Sequence, residues 1–369
     1  MGENISTRMN RTLNAICPYF TMYPLDFPLR VLPCGTEQES WVFDPFCGRG
    51  TTNFAARLRG LPSVGFDSSP VAVAVASAKL VNTTAEKVVR CAKDILSDSY
   101  VPSKVPSGLF WKWAFAKTTL VQVCRLRGEL IRDHGTPERQ MLRAIMLGAL
   151  HGPLCKGVPS YCSNQCPRTF APKPTYAVSF WKKRKMNPPV VDVLGMIQRR
   201  AERYLIGPIP SGVGRTYLRD SRNVPLDRWK GKFSWVITSP PYYGMRTYLP
   251  DQWLRRWFLG GPDFVDYSSR PCDFEHSSPD KFAEQLRRVW KNTAVMCKSD
   301  ARLVCRFGGI HDRKYDCLEI AKNSFTESGW RLTTIKAAGN ALNGRRQAMQ
   351  FGAQKYPRQE YDLYARPEA

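Results

Sequence analysis

Short apolar runs alternate with amphipathic segments in the first part of the chain. Residues 40–44 (SWVFD) form a short apolar run that ends in a polar turn, which predicts a buried strand. Residues 51–59 have apolar side chains at helical spacing, residues 62–67 predict a second strand, and residues 71–80 predict a helix. This strand–helix–strand–helix order indicates a parallel sheet with helices packed on its faces.

The same alternation returns in the last part of the chain, after a long middle region. Predicted strands lie at 216–219, 233–238, 301–307, 330–337 and 360–365, and predicted helices at 281–297 and 315–328. Together the two groups of segments predict one α/β domain with a mostly parallel sheet.

The middle region differs in pattern and in charge. Residues 102–150 show helical periodicity, whereas residues 151–216 are rich in proline and basic residues and predict mostly loops. The second stretch has 11 Lys and Arg against 2 acidic residues, a net charge of +9. We therefore expect residues 96–214 to be an inserted helical and loop-rich basic region, and residues 1–95 and 215–369 to form the α/β domain that carries the active site.

The whole chain is strongly basic. Lys and Arg total 55 against 31 Asp and Glu, which gives a net charge of +24 over 369 residues. A surface this basic raises the local concentration of polyanions, of which nucleic acid is the most common. The sequence shows neither an apolar run near the roughly 20 residues of a membrane helix nor a signal-peptide core. We therefore expect a cytoplasmic protein without a membrane partner.

Twelve cysteines are scattered along the chain without a CxxC pair. Cys155, Cys162 and Cys166 form one loose cluster, and His151 would be the nearest candidate for a fourth ligand. The spacing is not a common zinc pattern. Free thiols in a reducing compartment are the preferred interpretation, and we expect no metal.

The sequence DPFCGRGTT (44–52) lies between the first predicted strand and the first predicted helix. Gly48 and Gly50 let the backbone approach a ligand at this bend, and the helix that follows offers unpaired N–H groups. Asp67 ends the next strand, where a carboxylate can accept hydrogen bonds from ribose hydroxyls. The pattern lacks the GxGxxG of dehydrogenases and the GK[ST] of phosphate loops, so those two classes are disfavoured.

The sequence TSPPY (238–242) follows the predicted strand 233–238. Proline ends strands, but this simple interpretation leaves the exposed aromatic side chains at the strand end unexplained. The exocyclic amino group of a base is a poor nucleophile unless its N–H groups are accepted and its lone pair is freed. The Ser239 hydroxyl and the carbonyl of Ser239 or Pro240 are candidate acceptors, and Tyr242 can stack on a base rotated out of a helix.

These two sequences resemble the motifs of amino-directed (N4-cytosine and N6-adenine) S-adenosylmethionine-dependent DNA methyltransferases, in which DPF.G.GTT and (S/T/D/N)PPY are typical. The resemblance covers about residues 19–80 and 215–366. It implies a Rossmann-like class I methyltransferase sheet, mostly parallel with an antiparallel final strand, and S-adenosyl-L-methionine as the cofactor. The serine form of the second motif is typical of enzymes that methylate cytosine N4, and the aspartate and asparagine forms are typical of adenine N6 enzymes.

The resemblance also implies roles for individual residues. The implied catalytic residues are Ser239, Pro240, Pro241 and Tyr242. The implied cofactor-binding residues are Tyr23, Phe27, Asp44, Phe46, Gly48, Gly50, Thr51, Asp67 and Asp220. For Asp220, a turn or helix cap is the structural alternative.

In the class of this family that the motif order resembles, the target-recognition region lies between the two motifs, where this chain has its basic region. Candidate DNA contacts are Asn164, Arg168, Lys173, Lys182, Lys183, Arg184, Lys185 and Arg246. Lysine and arginine suit phosphates, and Asn164 and Arg168 also suit base edges, although a solvated basic face is the alternative. The implied partners are double-stranded DNA with a base flipped out and, by analogy, a cognate restriction endonuclease or defence system at a prokaryotic nucleoid.

Other functions are compatible with the sequence. An adenine N6 methyltransferase would share the mechanism, and an RNA or protein methyltransferase would share the fold. A catalytically silent nucleic-acid-binding protein would account for the charge, but not for the intact Ser-Pro-Pro-Tyr turn and glycine loop. A base-carbon methyltransferase needs a cysteine nucleophile in a Pro-Cys turn, and neither Pro33-Cys34 nor Pro271-Cys272 follows the expected strand.

Overall fold

The computed structural model describes most of the chain. The described residues are 12–18, 23–32, 40–97, 102, 104–154, 157–167, 173–207, 210–244, 250–268, 270, 272–309, 315–340 and 359–368. The chain divides into two compact units. The sheet unit comprises Tyr19–Leu80, Pro210–Arg246 and Ser269–Ala369, and the helical unit comprises Met1–Pro18, Val81–Ile209 and Thr247–Ser268.

The strands of the described residues lie in the sheet unit and form one mixed sheet. They are β1 Trp41–Asp44, β2 Ser63–Asp67, β3 Gly214–Leu218, β4 Phe233–Thr238, β5 Cys297–Gly308, β6 Trp330–Asn340 and β7 Gln359–Pro367. Over the described residues the order is β3-β2-β1-β4-β5-β7-β6, with parallel pairs from β3 to β5 and with β7 antiparallel to both its neighbours. This order, with one antiparallel strand near the edge, is that of the class I methyltransferase fold, so the predicted fold class is confirmed.

The helices fall into two groups that follow the two units. Those of the sheet unit are α1 Asp26–Val31, α2 Thr51–Leu58, α3 Pro70–Ala78, α11 Pro279–Met296 and α12 Cys317–Phe325. Those of the helical unit are α4 Ala85–Ser97, α5 Leu109–Ala114, α6 Lys117–Arg132, α7 Pro137–Ala149, α8 Pro174–Lys183, α9 Val193–Tyr204 and α10 Trp253–Phe258. None of the helices in the described ranges is long and apolar enough to cross a membrane.

Aromatic side chains fill the core of the sheet unit. Phe43 of β1 stacks on Phe233 of β4 with ring centroids 4.7 Å apart, and it meets Phe66 of β2 edge to face at 5.0 Å. Trp290 of α11 is fully buried and stacks on Phe325 of α12 at 5.2 Å. These contacts fix neighbouring strands against one another, so the strand ends that carry the motifs have a defined spacing.

Within residues 151–216, where the sequence predicts mostly loops, the structure has two helices, α8 and α9. Pro174 is the first residue of α8, a position where the missing N–H would be unsatisfied in any case. Asp192 caps α9 by accepting a hydrogen bond from Gly195 N over 2.9 Å. Proline and aspartate, which are common in loops, therefore stand here at the starts of two helices.

The two compact units divide the chain at positions other than the expected 96 and 214. Helix α4 belongs to the helical unit, and its Val88, Ala92 and Ile95 are buried. The segment Thr247–Ser268, which includes α10, belongs to the same unit. Helical periodicity shows that such a segment has an apolar face, but it does not show which core that face joins.

Candidate active site

The Asp44 carboxylate lies at the carboxyl end of β1 and is completely buried. It accepts hydrogen bonds from Tyr23 Oη at 3.1 Å, from Thr238 Oγ1 at 2.6 Å and from Phe46 N at 3.1 Å. Burial raises the pKa of this carboxyl to about 6, against the lowering effect of its hydrogen bonds. Asp44 thus connects the ends of β1 and β4 with the segment before α1.

The glycine loop follows Asp44 directly. Gly48 and Gly50 have φ of +50° and +74°, in the left-handed region that favours glycine. At Gly50 a Cβ would lie 2.7 Å from Ala76 Cβ, so packing against α3 also excludes a side chain. Thr51 is buried at the start of α2, and the loop brings the N-terminus of that helix to the carboxyl edge of the sheet.

Asp67 ends β2 and braces this loop. Its Oδ2 accepts a hydrogen bond from Gly48 N at 2.9 Å, and its Oδ1 accepts one from Ser69 N at 2.8 Å. Each carboxylate oxygen has a second lone pair, so the side chain can still accept hydrogen bonds from ligand hydroxyls. Burial raises the pKa of Asp67 to about 6, and the two backbone hydrogen bonds oppose this effect.

Tyr23 and Phe27 form a buried wall beside the loop. Besides donating to Asp44, the Tyr23 hydroxyl contacts Thr52 Oγ1, and its ring meets Phe27 edge to face at 5.3 Å. The Arg306 guanidinium lies 3.9 Å from the centre of the Phe27 ring. Sequence reasoning missed this arginine, because a cation inside β5 carries no motif of its own.

Phe46 and Asp220 lie at the ends of β1 and β3 respectively. Phe46 is half-buried, with its ring centroid 5.7 Å from Phe274 and 6.2 Å from Trp290. The Asp220 carboxylate accepts from Arg222 N at 2.9 Å and forms an ion pair with the Arg222 side chain at 2.7 Å. The structure thus gives Asp220 a turn-capping contact and an ion pair, and leaves it 18% exposed.

The Ser-Pro-Pro-Tyr turn begins where β4 ends, and hydrogen bonds of the last two β4 residues connect that strand end to neighbouring elements. Thr238 Oγ1 donates to Asp44, and Thr52 Oγ1 donates to Ile237 O at 3.0 Å. Ser239 and Pro241 are half-buried, and Pro240 is buried. The structure therefore brings the turn, Asp44, the glycine loop and Asp67 to one edge of the sheet, as the sequence predicted from the order of strands.

Tyr242 is half-buried, and its ring orientation is set by contacts to β5 and β7. Its hydroxyl donates to Glu360 Oε1 at 2.9 Å, and its ring meets Phe307 edge to face at 5.6 Å. A Cβ on Gly308 would lie 3.2 Å from the ring, so glycine leaves room for the tyrosine there. Glu360 and Gly308 carry no motif and were not foreseen from the sequence.

Tyr243 is a core residue, which corrects the expectation of exposed aromatic side chains after the strand. It is 6% exposed and packs edge to face against Phe282 at 5.5 Å. The next residue, Gly244, donates its N–H to His276 Nδ1 at 2.9 Å. This hydrogen bond anchors the end of the Ser-Pro-Pro-Tyr turn to the loop before α11.

The candidate DNA-binding residues of the helical unit fall into two groups. Lys173, Lys182, Lys183, Arg184 and Lys185 are exposed at the two ends of α8. Asn164 instead lies in the interior, 3% exposed, where its amide donates to Trp113 O at 3.3 Å, a position unlike that of the surface lysines. Arg168 and Arg246 lie outside the described residues.

The cysteine cluster forms no metal site in the described part of the chain. Cys155 lies outside the described residues, and Cys162 and Cys166 are buried. Cys162 Sγ contacts Met196 Sδ at 3.9 Å, and His151 Nδ1 is hydrogen-bonded to Ser163 Oγ at 2.7 Å. Within the described ranges, no group of three or more His, Cys, Asp or Glu side chains could hold a metal ion.

Comparison with known families supports the first motif. Residues 3–78 match the family model for N6- and N4-directed methyltransferases that is described as DNA methylase. This stretch includes Tyr23, the glycine loop and Asp67, so the resemblance to amino-directed methyltransferases is confirmed there. Together with the fold, the match supports an S-adenosylmethionine-dependent methyltransferase. No curated protein matches the chain.

Several solved structures are similar to this chain at low identity. A SAM-dependent methyltransferase from Methanosarcina mazei is 9% identical, with a TM-score of 0.37 over 94% of this chain and 98% of that one. Geranyl diphosphate methyltransferase in complex with SAM is 8% identical, with a TM-score of 0.36 over 93% and 84%. TrmN from Thermus thermophilus is 9% identical, with a TM-score of 0.34 over 93% and 48%. At these TM-scores, similarity carries no inference about this chain.

Proposed function

We propose that the protein is a DNA methyltransferase that uses S-adenosylmethionine to methylate the exocyclic amino group of a flipped-out base. Cytosine N4 is the favoured target, and adenine N6 is the alternative. The observation that carries the proposal is the hydrogen bond of 2.6 Å between Thr238 and Asp44. It joins the residue before Ser239 to the residue before the glycine loop, so base and cofactor chemistry would share one edge of the sheet.

The residues at this edge fit the cofactor. When bound, S-adenosylmethionine supplies an electrophilic methyl group on a sulfonium. Gly48 and Gly50 keep the loop backbone open to a ligand, and Asp67 has acceptor capacity for ribose hydroxyls. Tyr23 and Phe27 provide an apolar wall held in place by Asp44 and Arg306.

Ser239 and Pro240 orient the amino group of the base. The Ser239 hydroxyl accepts one N–H, and the carbonyl of Ser239 or Pro240 accepts the other, which frees the nitrogen lone pair. The two prolines fix the direction of the carbonyls and add no competing N–H donor. Holding both reactants in this geometry can supply much of the reduction in barrier.

Tyr242 provides the surface for the flipped base. Its hydroxyl donates to Glu360 and its ring packs edge to face against Phe307, so the orientation of the ring is fixed before a base binds. A base that leaves the duplex loses its stacking, and an aromatic ring in the site replaces part of it. The exposed lysines of α8 and the net charge of +24 suit the phosphates of the duplex.

The decisive experiment is to incubate the protein with S-adenosylmethionine and unmodified plasmid DNA, digest the DNA to nucleosides, and identify methylated bases by mass spectrometry. N4-methylcytosine is the expected product. N6-methyladenine would keep the mechanism and overturn the choice of base. Unmethylated DNA despite calorimetrically measured cofactor binding would contradict the DNA substrate, and absence of cofactor binding would contradict the whole proposal.

A serine pair supplies the matched control. Ser239→Ala is expected to abolish methylation while leaving cofactor binding and the thermal midpoint unchanged. Ser299→Ala, at an exposed position of β5 in the same unit, should retain full activity. An active Ser239→Ala enzyme would rule out the serine hydroxyl as an acceptor.

A further inference from the structure

Helix α8 and its C-terminal capping residue carry a row of two aromatic rings and a guanidinium, which we call the α8 stripe: Tyr176, Phe180 and Arg184. The Tyr176 and Phe180 rings stack with centroids 6.3 Å apart and an angle of 28°. The Arg184 guanidinium lies 4.6 Å from the Phe180 centroid. The spacing of four residues between members places all three on one side of the helix, over about 12 Å of its length.

The orientation of the stripe is fixed by the opposite side of α8. Ala177, Val178 and Trp181 are buried there, and Trp181 Nε1 donates to Gln165 O at 2.8 Å. The helix therefore cannot turn its aromatic stripe into the core without exposing the tryptophan. Tyr176 remains 56% exposed among the described residues.

The charged residues of the segment that carries the stripe are all positive. Residues 173–185 contain five Lys and Arg and no acidic residue. Lysines alone would suit phosphates, which need no aromatic surface. A planar ring backed by a second ring and a guanidinium is the arrangement that proteins use to stack a base, since every base has a flat π-face.

We propose that the α8 stripe stacks an unpaired base of the nucleic acid substrate, with Tyr176 as the platform and Phe180 and Arg184 as its support. The inference rests on the proposed function only in taking nucleic acid as the partner. In an intact duplex each base face is covered by its neighbours, so the ring can stack only where the helix is opened or single-stranded. The stripe would thus favour a strand with unpaired bases over the same sequence in a duplex.

The test measures binding by fluorescence anisotropy, with a labelled single-stranded oligonucleotide and the corresponding duplex at one salt concentration. Tyr176→Ala is expected to weaken single-strand binding about tenfold, the loss of one base stack. Duplex binding should change little. Tyr176→Phe keeps the ring and should bind like the unmodified protein. Tyr267→Ala removes another tyrosine of the helical unit, 68% exposed and outside the stripe, and should leave single-strand affinity unchanged.

Three results would overturn the proposal. One is single-strand affinity in Tyr176→Ala equal to that of the unmodified protein, and another is an equal loss for single strand and duplex. The third is the same loss in Tyr267→Ala. The assay requires neither cofactor nor methyl transfer, so a negative methylation result leaves it standing, whereas a failed stripe leaves the proposed methyltransferase untouched.

Discussion

A side chain at Gly50 would meet two obstacles at once. The residue has φ of +74°, where a non-glycine residue costs about 1–2 kcal/mol, and a Cβ would lie 2.7 Å from Ala76 Cβ. Gly60 has φ of +71° but nothing within 4 Å of its Cβ position. A side chain at Gly60 would therefore cause only conformational strain, whereas a side chain at Gly50 would cause both strain and steric overlap.

Gly50→Ala is expected to abolish S-adenosylmethionine binding and to lower the free energy of unfolding by more than Gly60→Ala does. The latter carries only the conformational cost of about 1–2 kcal/mol. Urea denaturation measures the free energy of unfolding, and calorimetric titration measures the affinity. Equal losses of stability in the two variants, with cofactor affinity unchanged, would contradict the role of the glycine loop.

The affinity for S-adenosylmethionine is expected to rise as the pH increases from 5 to 7. The pKa of Asp67 is raised by burial to about 6, and only the ionised carboxylate keeps full acceptor capacity for hydroxyls, so the cofactor favours the ionised form. Calorimetric titrations at several pH values give the profile. Asp67→Asn should bind more weakly and with a flat profile. An unchanged profile in this variant would assign the titration to Asp44, whose pKa burial also raises to about 6.

At the scale of elements, α9 shows how a helix can be concealed in a sequence. The prolines before it predict a loop, yet Asp192 satisfies an N–H of the first turn and Val193, Met196 and Ile197 are buried. The cap fixes where the helix starts, and the apolar face holds the helix in its unit.

Asp192→Ala is expected to lower the free energy of unfolding by about 1 kcal/mol, because Gly195 N loses its acceptor. Asp192→Asn keeps an acceptor oxygen at the same position and should be close to neutral. Chemical denaturation followed by circular dichroism measures both. If asparagine proved as harmful as alanine, the stabilisation would come from the carboxylate charge at the helix start and not from the cap hydrogen bond.

Strand β7 supplies side chains that support the Ser-Pro-Pro-Tyr turn. Because it inserts antiparallel between β5 and β6, its Glu360 reaches Tyr242, and its Asp362 pairs with Arg306 at 2.7 Å. Arg306 in turn lies against Phe27. A strand more than 100 residues after the motif thus contacts the proposed stacking residue Tyr242 and, through Arg306, the proposed cofactor wall at Phe27.

At the scale of the whole molecule, the net charge of +24 predicts a strong dependence of DNA binding on salt. Each phosphate contact contributes about 0.9 to the slope of log affinity against log salt for duplex DNA. The double variant Lys182→Ala with Lys183→Ala is therefore expected to lower the magnitude of the slope by about 1.8. Anisotropy titrations between about 50 and 200 mM salt measure it.

A second lysine pair tests whether the loss is specific to α8. Lys87 and Lys93 are exposed on α4 of the same unit, and their double replacement by alanine removes the same total charge. For this double variant, the slope of log affinity against log salt should equal that of the unmodified protein. If both pairs lowered the slope equally, binding would follow the total charge and not the position of the lysines.

The sequence by itself determined the order of elements and the edge of the sheet on which the candidate site lies. Strand β4 was predicted at the residues where it is found, since a buried strand is a short apolar run with polar ends. Because parallel strands end at the same edge of a sheet, the residues after β1, β2 and β4 were expected to meet, and Asp44, Asp67 and the Ser-Pro-Pro-Tyr turn do so.

Only the tertiary structure decided which distant side chains support that edge. Glu360 lies 118 positions from Tyr242 and His276 lies 32 from Gly244, and neither pair has a local pattern that announces it. Tyr242 and Tyr243 are neighbours in sequence, but only the tertiary structure shows that Tyr243 is buried in the core and Tyr242 is half-buried. Periodicity reports which side of an element is apolar, whereas hydrogen bonds between elements depend on how those sides pack together in three dimensions.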